Sequence, residues 1–186
     1  TKMKRYFFFF SLLLLTTHIV AQDFWQPVYG VPGVIHAISV NPSGHIFVGT
    51  AGHGAFRSTD NGATFTEINN GLPITFEYSL NTIHASPNGV LLASFYHSSG
   101  FPTVVVKGLK YRSTNNGDSW LPVEIADSSK QVWKFYTLAN GTILAGMDEA
   151  TMMRSTDNGV SWEGCSIGLQ QYEQIKSFHE RADGTI

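Results

Sequence analysis

The sequence predicts an all-β fold, a β-propeller of four-stranded antiparallel blades in which about three blades are present and the ring is incomplete. A short hairpin motif occurs three times, at intervals of roughly 40 to 55 residues, which is the length of a propeller blade. Each copy contains Asn-Gly, the strongest short hairpin signal, because both residues accept a positive φ. A high aromatic share of 13% and 18 glycines are typical of many short strands joined by tight turns.

Length and charge limit the classes of partner. The chain of 186 residues is long enough for one domain of ordinary size. Only 14% of its residues are charged and the formal net charge is −2, so no basic surface for nucleic acid is expected. No phosphate-binding loop or cofactor motif occurs, and we expect neither a nucleic-acid partner nor a cofactor.

The first element, residues 1–22, is predicted to be a secretory signal peptide. Lys4 and Arg5 precede an apolar run over 6–15 that only Ser11 interrupts, and Ala21 supplies a small residue for cleavage. The run is too short to cross a membrane comfortably. We therefore expect no membrane span after cleavage, and a location outside the cell, at the cell surface or in the periplasm.

The remainder, 23–186, is predicted to be a partial propeller. Residues 24–28 read Phe-Trp-Gln-Pro-Val, which repeats the Trp-x-Pro-Val pattern at 120–123 and predicts an outer strand without its own blade. Because propellers have about four to eight blades, we expect the chain to be the N-terminal part of a longer protein. Three blades are predicted over 34–68, 80–125 and 132–167, and the start of a further blade over 175–186.

The first blade shows how each unit divides into four strands, A to D in chain order. The strands are predicted over 34–40, 45–50, 55–58 and 64–68. A turn ending in Gly44 joins strands A and B, and Asn61-Gly62 joins strands C and D. The same order is repeated in the second and third units, and the second unit carries a longer connection between its strands B and C.

The repeated motif has the pattern R-S-T-[DN]-N-G-x-[ST]-[WF], and its expected role is structural. A turn carboxylate or amide accepts local backbone N–H bonds, and the aromatic side chain is expected to pack between neighbouring blades. Calcium binding is disfavoured because the alternating carboxylates of a calcium loop are missing. The structural residues predicted in this way are Ser58, Asp60, Gly62, Phe65, Ser113, Asn115, Gly117, Trp120, Ser155, Asp157, Gly159 and Trp162.

This motif resembles the Asp box, or BNR repeat, S-x-D-x-G-x-[ST]-W. The resemblance covers roughly 24–186 and departs from the pattern at Asn115, which replaces the aspartate, and at Phe65, which replaces the tryptophan. Asp boxes occur in propellers of sialidases, xyloglucanases, sortilin-type receptors and many non-enzymatic secreted proteins. The resemblance therefore implies a propeller and allows either a glycoside hydrolase or a binding protein.

Strand alternation predicts where a ligand could bind. The A–B and C–D turns share one face of the propeller, and the more variable B–C and D–A connections share the other. Loops presented by a rigid scaffold often carry function. The candidate binding face is predicted from aromatic and polar residues of these variable loops, namely Glu77, Tyr96, His97, Phe101, Asp148, Glu149 and Tyr172.

The function predicted from these residues is that of a non-catalytic binding or scaffold module whose ligand is a glycan or a protein. No nucleophile elbow occurs and the histidines lack metal-ligand spacing, so we assign neither catalytic nor metal-binding residues. Arg57, Arg112 and Arg154 occupy one repeated position on the Asp-box face and cannot form a sialidase-type arginine triad on the other. The alternative is a glycoside hydrolase of xyloglucanase or sialidase type whose catalytic residues lie partly in further blades.

Overall fold

The computed structural model describes residues 28–98, 106–125, 129–166, 168 and 174–186, and this part of the chain contains twelve strands and no helix. The first sheet consists of β1 (Ile35–Val40), β2 (Ile46–Thr50), β3 (Gly54–Ser58) and β4 (Thr66–Glu67). The second consists of β5 (Tyr78–Ala85), β6 (Leu91–Ser98), β7 (Val106–Ser113) and β8 (Leu121–Pro122). The third consists of β9 (Val132–Thr137), β10 (Ile143–Met147), β11 (Met152–Ser155) and β12 (Glu163–Gly164).

Each sheet is a propeller blade. Its four strands pair antiparallel in chain order, so every connection within a blade is a hairpin. The first strands of the three blades lie side by side, since β5 contacts both β1 and β9. The predicted all-β propeller with three four-stranded blades in an open ring is therefore confirmed.

Three predicted segments lie outside or at the margin of these blades. The proposed signal peptide and residues 24–27 of the proposed outer strand are outside the described residues, so both stay predictions. Residues 174–186 contain no regular strand but lie against the third blade. The Ile175 N–H donates to Met147 O at 3.2 Å, and the Phe178 ring lies 6.2 Å from the Tyr136 ring.

The three recurring turns, residues 57–65, 112–120 and 154–162, share one hydrogen-bond pattern. In the first, the Ser58 hydroxyl donates to Asp60 Oδ1 at 2.7 Å and accepts from the Gly62 N–H at 2.8 Å. The Thr64 N–H and hydroxyl then donate to the two carboxylate oxygens of Asp60 at 2.9 and 2.6 Å. Asn61 and Gly62 adopt φ values of 58° and 89°, as the Asn-Gly pair predicts.

The other two turns repeat this pattern with one change of donor. Ser155 and Asp157 reproduce the bonds of the first turn, with the Ser161 N–H and hydroxyl donating to the carboxylate. In the second turn Asn115 replaces the aspartate, and its amide nitrogen donates to the Ser119 hydroxyl at 2.9 Å. An amide therefore serves in place of the carboxylate because the hydroxyl can either donate or accept.

The carboxylates in these turns give stability a specific pH dependence. Hydrogen bonds, chiefly from the Thr64 hydroxyl, lower the pKa of Asp60 from 3.8 to about 2, and bonds from Ser161 lower the pKa of Asp157 still further. Because the folded-state pKa is depressed, this stabilisation is present above the ordinary value and is lost as pH falls through the folded-state value. We expect the double variant Asp60→Asn, Asp157→Asn to lose less stability than wild type between pH 3.8 and about 2.

Chemical denaturation at a series of pH values measures this difference. Asn115 shows that an amide fits the turn, so the double variant is expected to fold. Glu67→Gln, which removes an exposed carboxylate outside the turns, is the control and should keep the wild-type pH profile. If the free energy of unfolding of the double variant fell as steeply with acid as that of wild type, the effect could not be assigned to these two carboxylates.

Arginine side chains of the motif join neighbouring blades. Arg57 Nη1 in the first blade donates to Asn116 O and to Asp118 Oδ1 of the second blade, both at 2.9 Å. Arg112 Nε in the second blade donates to Asn158 O of the third at 2.7 Å. Arg57 and Arg112 therefore bind the Asn-Gly turn of the blade that follows, whereas Arg154 pairs with Glu163 of its own blade at 2.8 Å.

Asparagines of the A–B turns make a second set of contacts between blades. Asn41 Nδ2 donates to Asn116 Oδ1 at 3.3 Å, and Asn88 Nδ2 donates to Asn158 Oδ1 at 2.9 Å. We call these arginine and asparagine contacts together the inter-blade clasp. At both interfaces the donors belong to the earlier blade and the acceptors to the later one.

Apolar side chains fill the space between the blades. Phe47, Leu80 and Phe95 are fully buried between the first and second blades, and Phe135 and Met147 lie in a second cluster between the second and third. This burial is the main stabilising contribution expected for the arc.

The three motif aromatics differ in burial. Trp120 is 2% exposed and its indole N–H donates to Ile68 O of the first blade at 2.8 Å. Trp162 is half-buried, lies 6.1 Å from the Phe135 ring, and bonds only to Gly159 O within its own turn. Phe65 is half-buried on the open flank of the first blade, which also exposes Ile38. Trp120 alone of the three packs fully between blades.

Candidate functional site

A cleft of about 680 Å³ opens on the face formed by the B–C and D–A connections. All three blades contribute to it, because their first strands begin at this face. Aromatic, carboxylate and carboxamide groups alternate around its wall. The lining residues are His36, Phe76, Glu77, Ser79, Asn81, Tyr96, Gln131, Trp133, Asp148 and Gln174.

Three of the predicted binding residues, Glu77, Tyr96 and Asp148, line this cleft together. His97 is adjacent, where its Nε2 lies 3.2 Å from Glu77 Oε2 and its ring centroid 4.6 Å from that of Tyr78. Glu149 is not among the lining residues and pairs with Lys130 at 3.1 Å. Phe101 and Tyr172 lie outside the described residues and stay predictions.

Asp148 holds Trp133 in place. The indole N–H of Trp133 donates to Asp148 Oδ1 at 2.6 Å, and the Gln131 backbone N–H donates to Oδ2 at 3.1 Å. Both carboxylate oxygens thus have partners within the protein. The arrangement fixes the orientation of an aromatic ring at the cleft wall, and Asp148 acts as a positioning residue for Trp133.

Three residues with carboxamide side chains, Asn81, Gln131 and Gln174, line the same cleft as Trp133. Asn81 Nδ2 donates to Val132 O at 2.8 Å, whereas Asn81 Oδ1 is buried without a protein hydrogen-bond donor. Gln131 is 2% exposed and Gln174 is exposed. Gln174 therefore presents an exposed carboxamide, with both donors and an acceptor, to a ligand at this wall.

Sequence reasoning missed Trp133, which is the most firmly oriented aromatic residue of the cleft. Trp133 belongs to β9, whereas the candidate binding residues were predicted from the variable loops. The signal that could have found it is strand polarity. The first residues of the first strand of each blade lie on the face that carries the cleft, so an aromatic residue at the start of such a strand is a candidate for its lining.

Titratable groups elsewhere do not extend this site. Burial lowers the pKa of His84 from 6.5 to about 4, and its Nε2 lies 2.8 Å from Thr137 Oγ1 between the second and third blades. Among the described residues, no group of three or more His, Cys, Asp and Glu side chains could hold a metal ion. The same part of the chain also contains no helix of the length and apolarity needed to cross a bilayer.

Comparisons with known proteins identify the fold. No family model matches the chain, and no curated protein matches it. The GH74 xyloglucanase from Xanthomonas campestris is 18% identical, with a TM-score of 0.55, over 75% of this chain and 22% of the enzyme. YCF48, solved bound to D1 peptide, is 15% identical, with a TM-score of 0.54, over 76% of this chain and 43% of that protein.

An ancestral GH74 enzyme is 24% identical, with a TM-score of 0.52, over 72% of this chain and 19% of the enzyme. The chain therefore spans between 19% and 43% of the length of these three proteins. At such identities the likeness concerns the fold alone, and the matched proteins include both enzymes and a peptide-bound protein. The chain is a β-propeller protein, of which the described residues form a three-bladed open arc.

Proposed function

We propose that this chain forms blades of an exported, non-catalytic propeller of the Asp-box type that binds a glycan or protein ligand in the cleft. The observation that carries the proposal is the Trp133 ring, which Asp148 holds at the wall of a cleft that Gln174 also lines. Small-molecule sites typically combine aromatic side chains with a few well-placed polar groups. The shared hydrogen bonds of the three recurring turns support the Asp-box assignment.

The cleft carboxylates already have partners within the protein, and this favours a binding function over a catalytic one. A glycoside hydrolase normally needs one carboxyl group as acid and another as base or nucleophile. Asp148 accepts two hydrogen bonds that hold Trp133 and the backbone, and Glu77 pairs with His97. Export is supported by the charged, apolar and small-residue sequence of residues 4–22.

A glycan array and a peptide array, probed with the full chain, test the proposal. We expect Trp133→Leu to weaken binding of the array ligand by about tenfold, as for a central aromatic contact. Tyr29→Leu, which alters an aromatic residue that is 78% exposed and outside the cleft, should leave binding unchanged. Equal binding by wild type and Trp133→Leu would contradict the cleft as the site.

A glycoside hydrolase is the second candidate, and it is favoured by the fact that Glu77 and Asp148 line one cleft. Release of reducing sugar from plant and bacterial polysaccharides distinguishes the two functions. We expect no release by the chain. Release that disappears in both Glu77→Gln and Asp148→Asn would establish the hydrolase instead.

A further inference from the structure

The cleft wall has an excess of negative charge and of hydrogen-bond acceptors. Glu77 and Asp148 are its carboxylates, and no lysine or arginine is among the lining residues that the structure describes. The donors to Asp148 are an indole N–H and a backbone N–H, both uncharged, so the negative charge of this group is not neutralised by them.

The aromatic residues of the wall also favour a cation. The face of an indole or phenol ring attracts positive charge through its quadrupole. Lys176 already shows this interaction, with its Nζ 5.1 Å from the Trp133 ring centroid. Phe76 is 88% exposed and Tyr96 lies on the same wall, so further ring surface is available to a ligand.

The cations close to the cleft do not cancel this preference. Lys130 pairs with Glu149 at 3.1 Å and donates to Thr151 Oγ1 at 2.8 Å, so it neutralises a carboxylate outside the lining. Lys176 contributes one positive charge near Trp133 against the two lining carboxylates, which leaves a net negative charge among these three groups. His36 and His97 are the remaining titratable groups at the wall.

We infer that the ligand of this cleft is a glycan that carries free amino groups, an inference that rests on the proposed binding function. An ammonium group offers three donors and no acceptor, which matches the carboxylates of Glu77 and Asp148 at the wall. The sugar ring presents apolar surface to Trp133, and its hydroxyls match the exposed carboxamide of Gln174. A lysine side chain of a peptide would supply the charge but not the neighbouring hydroxyls.

Calorimetric titration of the full chain with two glycans of matched length tests the inference. The probes are oligomers of β-1,4-linked glucosamine and of N-acetylglucosamine, at a pH that protonates the free amine. We expect the amine form to bind about tenfold more tightly at low ionic strength and to lose most of this advantage in high salt. Equal or tighter binding of the acetylated form would overturn the inference.

Two isosteric variants distinguish the effect of a charge in the cleft from the effect of a charge elsewhere on the surface. Glu77→Gln removes one charge from a side chain that is 71% exposed, and should reduce affinity for the amine form about threefold more than affinity for the acetylated form. Glu124→Gln, an exposed substitution outside the cleft, should change neither. An unchanged affinity for the amine form in Glu77→Gln would also overturn the inference.

The failure of the inference and the failure of the proposed function give different results. If the acetylated form binds better and Trp133→Leu abolishes that binding, the cleft is the site but the cationic ligand is wrong. If a lysine-rich peptide binds more tightly than either glycan, the glycan class is wrong. If no glycan or peptide binds and Trp133→Leu behaves as wild type, both proposals fail.

Discussion

Replacing Trp120 by alanine is expected to lower the free energy of unfolding by about 3 to 5 kcal/mol. The side chain is 2% exposed and lies in the apolar cluster between the first and second blades, so its removal leaves a cavity where the two sheets meet. It also removes the indole N–H that donates to Ile68 O at 2.8 Å, which leaves a buried carbonyl without that donor. Urea or guanidinium denaturation followed by circular dichroism measures the change.

Trp162→Ala is the matched control, because Trp162 has the same motif position in the third blade. It is half-buried and bonds only within its own turn, so we expect a smaller loss of about 1 to 2 kcal/mol. A loss for Trp120→Ala no larger than for Trp162→Ala would contradict the role assigned to Trp120 as the packing residue between blades.

Gly71→Ala is expected to destabilise the chain by about 3 to 4 kcal/mol, the second largest effect. Gly71 lies in the connection between the first two blades with a φ of +94°, which side-chain-bearing residues rarely adopt. A Cβ at this position would lie 2.3 Å from Trp120 O, and backbone atoms cannot move away as a flexible side chain could. The substitution would therefore push apart the contact in which the Trp120 N–H donates to Asn70 O.

Gly89→Ala separates the two causes. Gly89 has a φ of +82° but no heavy atom within 4 Å of an added Cβ, so only the backbone strain applies. We expect a loss of about 1 kcal/mol in the same denaturation experiment. Equal losses in the two variants would show that strain alone accounts for Gly71, and that close packing against Trp120 is not required.

The fold could be predicted because its signals are local. Asn-Gly turns adopt positive φ whatever surrounds them, so Asn61-Gly62 and its two counterparts located every C–D hairpin. Burial between blades is different, since it depends on residues far apart in sequence. Trp120 and Trp162 are equivalent within the motif, yet only Trp120 reaches a carbonyl of the preceding blade, and no sequence pattern distinguishes them.

The candidate site could be predicted in part. Strand alternation brought Glu77, Tyr96 and Asp148 into one candidate set, and the structure places these three residues around one cleft. It did not identify the bond between Asp148 and Trp133, because these residues belong to a loop and a strand whose contact depends on the register of β9 against β10. A single sequence carries no direct signal for such a contact.

The inter-blade clasp gives the arc a direction. Arg57 and Arg112 each reach forward to an acceptor in the next sheet, and Asn41 and Asn88 do the same. Both described interfaces thus join donors of the earlier blade to the Asn-Gly turn of the later blade. Duplication or loss of a whole blade would preserve these hydrogen bonds. The number of blades could therefore change without a new type of contact between neighbouring blades.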